Sequence, residues 1–489
     1  HELFDKNIDK FKNKISLRND VFDKKHYNFR KDTSLIREKN WSINAYDDKL
    51  QKRHVEITGP GNDAKMVINA LNSKADGYMF DIEDSMSPTW SNVMNAHYNI
   101  KKIVDNDLVA EKKDKNGNII KKYSLNNDIF HHNTPTFHVR TRGLHMMEEN
   151  YKINNNAIPA TIFDIGVHLF HNGNKLNKKN MSPYLYIPKL ESYEDSCFVN
   201  NILIDAQSML NIPTGTVKVT ALIETFPAIF QTEEIIYGLK EHIVGLNCGR
   251  WDYLFGMLKC DNENVLEFKN KLTMDKSFLE SYVKQIVNSC HKRGIHAIGG
   301  MSAFIPTGNK EKDKKIFETI KLDKLLEISR GCDGAWVAHP ALIDPVKEVF
   351  NNNLPKDNQI NSHMPTELIN DEISKITKKD LINYTHKTTI TEEELRSNIN
   401  ICFQYIAAWL SGNGAVALNN LMEDLATSEI SMFQLKQWLC NSNNVKFIRK
   451  EDGEELFINT YTIKSIINSE FDNIIINNEI KYATRYFDL

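Results

Sequence analysis

VKVTALIETFPAIF (217–230) and HIVGLNCGRWDY (242–253) are two apolar, β-rich runs with one amphipathic stretch between them. Each closes on a carboxylate, Glu224 in the first and Asp252 in the second, 28 residues apart. That is about the span of one strand–helix–strand unit. A crossover of this kind makes the two strands parallel, so both acids emerge at the same edge of a sheet. Two carboxylates there form a ready site for a hard divalent cation such as Mg²⁺.

Working outward, six more runs of the same character recur, separated by helical patterns. They are HVEIT (54–58), GYMFDI (77–82), TFHVRT (136–141), YLYIPK (184–189), HAIGG (296–300) and GAWVA (334–338). Strands alternating with helices make a parallel sheet, and eight strands close a (β/α)₈ TIM barrel. A doubly wound sheet is the competing α/β arrangement, but no GxGxxG follows the first strand.

The chain of 489 residues exceeds what one core usually organises, so more than one domain is expected. The barrel takes residues 53–350. Ahead of it, 1–52 read as a charged, helical clasp. The Asn-, Lys- and Asp-rich stretch 351–390 reads as a linker with little core, and 391–489 as a helical plug domain. In the plug, Thr391 and Glu394 form a capping box ahead of an amphipathic helix, and Ser431 with Gln434 read as a second cap. EKKDKNGNIIKKY (111–123) is a polar hairpin about Asn116-Gly117.

A formal charge of −3, with 41% hydrophobic and 26% charged residues, is that of a soluble globular protein and points to neither nucleic acid nor an anionic membrane. No apolar run approaches the roughly 18 residues that span a bilayer. Seven scattered cysteines without CxxC spacing fit reduced thiols inside a cell. The chain opens on His1 instead of Met, which suggests an upstream segment, and its last residues, YFDL, are not an SKL-type peroxisomal address. The reading leans to the cytoplasm.

In a (β/α)₈ barrel the working residues stand at the C-terminal strand ends. Here those ends carry Glu83 and Asp84, Arg140 and Arg142, Lys189, Glu224, Asp252, Gly299-Gly300, and Trp336 followed by His339-Pro340. Each has a plainer reading. Glu224, Glu83 and Asp84 suit a helix N-terminus. Either arginine can pair with Glu83 and Asp84, and Arg142 is the preferred partner. Lys189 can be a surface lysine, Cys248 a small buried packer and Trp336 core. The polar run GNGAVALNNLMEDLATSEIS (412–431) holds Glu423-Asp424, where Asp424 reads equally well as a helix N-cap.

The ordered set RHVEITGPG (53–61), DIEDSMSPTW (81–90), VRTRGLHMMEENY (139–151), YLYIPKLES (184–192), ALIETFPAIF (221–230), HIVGLNCGRWDYLF (242–255), AIGGMSAFIP (297–306), DGAWVAHPAL (333–342) and AAWLSGNGAVALNNLMEDLATSEIS (407–431) resembles malate synthase in its shorter A-type form. The resemblance implies Mg²⁺-dependent condensation of acetyl-CoA with glyoxylate to malate and CoA, on a TIM barrel with an N-terminal clasp and a C-terminal plug. It implies Glu224 and Asp252 as metal ligands, Arg140 as a catalytic and substrate-binding arginine, and Asp424 as the base. Gly249, Arg250, Trp251 and Asp252, with Trp336 and Pro340, are the expected substrate contacts, and Glu83 and Asp84 are expected to hold metal-bound water.

Thr141 stands where the family commonly has Pro. Ser411, Ala415 and Ala417 stand where it commonly has Arg, Cys and Pro, and these adjoin the plug loop. Two other readings compete. One is a lyase of the related barrel group that cleaves malyl-CoA or citramalyl-CoA, whose chains are shorter and lack the plug. The other is a non-catalytic relative that keeps the barrel.

Overall fold

The computed structural model describes residues 2–3, 5–7, 27–43, 47–260, 264–361, 376–384, 387–441, 443–449 and 452–476. Parts of the expected clasp (1, 4, 8–26 and 44–46) and of the expected linker (362–375 and 385–386) lie outside them.

Eight parallel strands close a barrel: β1 (Val55–Pro60), β2 (Gly77–Asp81), β3 (Thr136–Arg140), β4 (Tyr184–Ile187), β5 (Lys218–Ile223), β6 (Ile243–Cys248), β7 (His296–Ser302) and β8 (Gly334–Val337). Each pairs with its neighbour in sequence, and β1 pairs with β8 to complete the ring. These are the eight runs read from the sequence, with VKVTALI (217–223) and HIVGLN (242–247) supplying β5 and β6, and with ends shifted by one or two residues. Closure depends on Gly334. A Cβ there would sit 1.7 Å from the carbonyl oxygen of Arg53, so only glycine lets the last strand approach the first.

The barrel interior is filled in layers. At the N-terminal end the buried Arg53 guanidinium donates to Glu56 (2.7 Å), Thr220 (3.0 Å) and the Tyr186 hydroxyl (2.7 Å). Every polar group in this layer has a partner, as a buried network requires. Above it Met79, Tyr186, Leu222, Ile298 and Trp336 form an apolar layer. With the lower end sealed in this way, the cavity opens at the C-terminal ends of the strands, where βα-loops gather in such barrels.

The hairpin about Asn116-Gly117 forms as expected, from Val109–Lys113 and Ile119–Ser124. Beyond the barrel, α-helix Ile343–Asn353 is followed by residues 354–361 and 376–384, which pack on the barrel. Leu354, Leu381 and Tyr384 are buried in the barrel's outer core, and the Gln359 amide donates to Asp333 (2.7 Å). The tail has a second core of Ile390, Leu395, Ile399, Trp438, Val445, Phe447 and Ile466, which also takes in Val265 and Phe268 from the barrel side. The capping box of Thr391 and Glu394 is formed. The cap expected at Ser431 and Gln434 is not: both lie inside a helix, and the Ser431 hydroxyl donates back to the Thr427 carbonyl (2.9 Å). Among the described residues no helix is long and apolar enough to cross a membrane.

Candidate active site

β2 and β3 run in register, so their last residues, Asp81 and Arg140, stand side by side. Asp81 accepts from Nε (2.7 Å) and Nη2 (2.5 Å) of Arg140, a two-point clamp that fixes the guanidinium plane. The remaining nitrogen, Nη1, lies 3.4 Å from Glu83 and 3.9 Å from Asp84. Burial works against the charge of Arg140, but Asp81, Glu83 and Asp84 outweigh it and hold the group well above its usual pKa. The arginine is a permanent cation aimed into the cavity.

Lys189 is not a surface lysine. Its side chain is 13% exposed and its ammonium sits among four carboxylates: Asp84 (2.8 Å), Asp252 (3.1 Å), Glu83 (3.4 Å) and Glu224 (3.4 Å). Burial lowers its pKa, and these four acids reverse that and raise it well above the ordinary lysine value. The residue adopts φ of +54°, a left-handed conformation costly for a non-glycine residue. Its backbone N–H is thereby turned onto Glu224 (2.7 Å).

Glu224 follows β5, and Asp252 lies in the first turn of α1 (Arg250–Cys260), just past β6. Gly249 brings them together: a Cβ there would fall 2.5 Å from the Glu224 side chain. Glu224 Oε2 and Glu83 Oε1 are buried without a hydrogen-bond partner, and Asp252 Oδ1 has the Lys189 ammonium at 3.1 Å but no hydrogen bond of good geometry. Among the described residues, the ion pairs of five carboxylates in this cluster (Asp81, Glu83, Asp84, Glu224, Asp252) are made with two cations, Arg140 and Lys189. Among the described residues no three His, Cys, Asp or Glu side chains form a metal-binding group. Mg²⁺, however, is commonly held by one or two carboxylates, the other positions being filled by substrate and water. Glu224, with an unpartnered Oε2, and Asp252 beside it, in a cluster of excess negative charge, fit that pattern.

The third acid comes from the tail. Tail helix α2 (Glu392–Leu410) leads into a short hairpin, Val416–Leu418 with Leu421–Glu423, turned by Asn419 and Asn420, both left-handed. α3 (Leu425–Cys440) follows, and Asp424 is its N-cap, accepting from the Thr427 N–H (3.2 Å). The hairpin is pinned to the barrel on two sides. Met422 N–H donates to Ala303 (2.8 Å), and Leu425 N–H to the Asp84 carbonyl (3.3 Å). Burial, and then the charge of Asp84, push the Asp424 carboxyl up to about 7, while Arg140 pulls it down. The cap and the expected base are therefore the same residue, with one oxygen engaged by the helix.

Arg140, Glu224, Gly249, Arg250, Trp251, Asp252, Trp336 and Asp424 all line one cavity, as does Ala415. Arg250 lies over the Trp251 ring at 4.2 Å, and burial lowers its pKa. Trp336 sits in the apolar layer beneath, with its N–H donating to Glu56 (3.1 Å) and the Arg140 guanidinium 6.0 Å from its ring. Glu83 and Asp84 lie behind the lining, against Arg140 and Lys189. They cap no helix, since the next one begins at Trp90. Pro340 does not join the others: it is exposed, at the start of a 3₁₀ turn, away from the cavity lining.

Arg142 also differs from expectation. Its partners are Asp164 (2.8 Å), from the helix Ala160–His168, and Glu148 (2.7 Å), not Glu83 and Asp84. Asp164 further pairs with His97 (3.0 Å). This cluster is buried and structural. Asp164→Ala leaves Arg142 half-paired, so it is expected to cost about 3–5 kcal/mol of stability. The check is a lowered thermal midpoint together with normal turnover by the molecules that remain folded.

Family models match both parts of the chain: "Malate synthase, TIM barrel domain" over residues 136–384 and "Malate synthase, C-terminal" over 389–488. Myxococcus xanthus malate synthase is 40% identical over 437 residues, covering 88% of this chain and 76% of that protein. The chain belongs to the malate synthase family. Escherichia coli malate synthase A is also 40% identical, over 84% of this chain and 74% of its own length. Among solved structures, the pyruvate/acetyl-CoA ternary complex of Haloferax volcanii malate synthase shares the fold, with a TM-score of 0.54 at 15% identity, covering 82% of this chain and 94% of that one. The magnesium/glyoxylate complex of the same protein gives a TM-score of 0.50 at 13% identity, covering 82% and 93%. The malate synthase barrel match begins at Thr136, yet β1 and β2, ahead of it, are full members of the closed ring and supply Asp81.

Proposed function

We propose that this site carries out the malate synthase reaction: acetyl-CoA and glyoxylate condense, and the resulting malyl-CoA is hydrolysed to malate and CoA. The observation that carries the reading is the delivery of Asp424, from the tail, into the cavity that Arg140, Glu224 and Asp252 line from the barrel. A lyase reading makes no use of that tail, and a purely binding role makes no use of a raised carboxyl facing a clamped arginine.

The acetyl methyl group is a very weak acid, and a free carboxylate near pKa 4 is a poor base for it. Two features narrow the gap. Asp424, raised to about 7, is the stronger base. Arg140, fixed by Asp81, offers N–H groups to the thioester oxygen as it becomes an enolate. Asp424 takes the methyl proton, the freed carbon forms a bond to the aldehyde carbon of glyoxylate, and the aldehyde oxygen gains a proton. Water then adds to the thioester carbonyl and the CoA thiol leaves. Free N–H groups at the start of α1, after Gly249, suit the glyoxylate carboxylate. Glu224 and Asp252 would hold Mg²⁺, which when bound polarises the aldehyde as a Lewis acid. The Haloferax volcanii magnesium/glyoxylate complex, on the same fold, supports that choice.

A thiol-release assay tests the reaction. Free CoA is expected only with acetyl-CoA, glyoxylate and Mg²⁺ together. Release without glyoxylate indicates a thioesterase, and reversible formation of malyl-CoA without thiol release indicates the lyase.

A further inference from the structure

The base sits on a hairpin that the tail alone does not hold, and the residue securing it comes from the barrel. Segment 264–269, after α1, crosses to the tail and is laced to α3. Leu266 N–H donates to Gln437 (2.9 Å), Gln437 to the Asn264 carbonyl (2.8 Å), and the Trp438 indole to the Leu266 carbonyl (2.9 Å). Val265 and Phe268 are buried in the tail's own core. At the end of this seam stands Lys269, 3% exposed, whose ammonium points back beneath the hairpin. It donates to the Thr427 carbonyl (3.3 Å) and lies 3.7 Å from the Glu423 carboxylate.

Those two contacts flank Asp424. Glu423 precedes it, and Thr427 supplies the N–H that holds its side chain. Thr427 also donates its hydroxyl to the Asp424 carbonyl (2.9 Å). Glu423 is 2% exposed, so without Lys269 a buried carboxylate would stand unpaired next to the base. No other ion pair to Glu423 is formed among the described residues.

We propose that Lys269 is a positioning residue for Asp424, gripping the hairpin on both sides of the base so that its free oxygen meets the acetyl methyl. The inference rests on the reading of Asp424 as base. Lys269 touches no reacting atom and lines a second cavity, behind the hairpin, with Arg250, Trp251 and Glu423. Misplacement of a reacting group by about 1 Å can cost on the order of 10²-fold in rate, which sets the scale of effect.

The test compares Lys269→Met, Lys269→Arg and Asp424→Asn in the full chain. Each is assayed for kcat, for KM of both substrates, and for the isotope effect with trideuterated acetyl-CoA. Lys269→Met is expected to lower kcat about 10- to 100-fold with both KM values within about threefold, and to raise the isotope effect, because proton removal becomes slower than later steps. Lys269→Arg, keeping the charge and a longer donor, is expected to recover most of kcat. Unchanged kcat and isotope effect in Lys269→Met, beside an inactive Asp424→Asn, overturns the positioning role alone. An active Asp424→Asn overturns the base itself. Should Lys269→Met fail to fold, Glu423→Gln severs the same ion pair. A normal kcat and isotope effect there also overturns the proposal, and a lowered kcat with a raised isotope effect supports it.

Discussion

Asp424→Asn is expected to lower turnover by about 10²–10⁴-fold while leaving glyoxylate binding intact, the range general-base catalysis commonly contributes. Asparagine keeps the shape and still accepts the Thr427 N–H, so α3 retains its cap and the hairpin its position. What disappears is the lone pair that takes the methyl proton. Because the carboxyl titrates near 7 and acts in its ionised form, activity in the wild-type chain falls as pH drops through that value, tenfold per unit below it. Arg140 lowers the pKa of Asp424, so its removal is expected to move this acid limb to higher pH. A pH profile of kcat, together with glyoxylate binding by calorimetry, checks both statements. Turnover within threefold of wild type in Asp424→Asn would remove it from the reaction, and a limb that stays put in Arg140→Ala would deny their coupling.

The barrel was legible because its strands carry two signals at once, β-rich apolar runs and polar residues at each end. Buried parallel strands leave little else to write. Glu224 and Asp252 followed from spacing alone. Asp424 did not: its sequence fits a helix cap, and that is also what it is. Only the placement of the tail over the barrel mouth separates cap from base, and that placement rests on contacts such as Leu425 to Asp84 and Met422 to Ala303, far apart in sequence. The hairpin ahead of it did leave a sign, since Asn419-Asn420 between short apolar runs suits a turn with both residues left-handed. Asp81 was within reach as well. It and Arg140 end adjacent strands in register, so aligning the two runs pairs them. Arg142 was beyond reach, because Asp164 arrives from a helix whose docking no local pattern specifies. Lys189 escapes a local reading for a related reason. A lysine after a strand is usually solvated, and its burial depends on four acids converging from three other strand ends. Pro340 follows the last strand of the barrel, as a site residue would, yet in the structure it lies on the surface.

Arg140→Ala is expected to lower kcat at least about 10²-fold, the loss seen when one donor to a developing oxyanion is removed. Its geometry explains why charge alone is insufficient. Asp81 occupies Nε and one hydrogen of Nη2, so the guanidinium is held flat. A guanidinium has five N–H groups, which leaves three, two of them on Nη1. Arg140→Lys keeps the positive charge but loses the two-point clamp, since an ammonium on a flexible stem cannot reproduce a planar fork. It is therefore expected to recover little of the lost activity. Asp81→Asn is the complementary test. It spares every atom of the arginine and weakens the clamp, along with the bonds Asp81 accepts from the Glu83 and Ser85 N–H groups and the Ser85 hydroxyl, so kcat should fall less than in Arg140→Ala, with KM for glyoxylate unchanged. If charge near the enolate were all that mattered, Arg140→Lys and Asp81→Asn would both turn over at close to the wild-type rate. If orientation matters as the clamp implies, both are slow, and the isotope effect with trideuterated acetyl-CoA rises in each because the enolate forms without its donor in place.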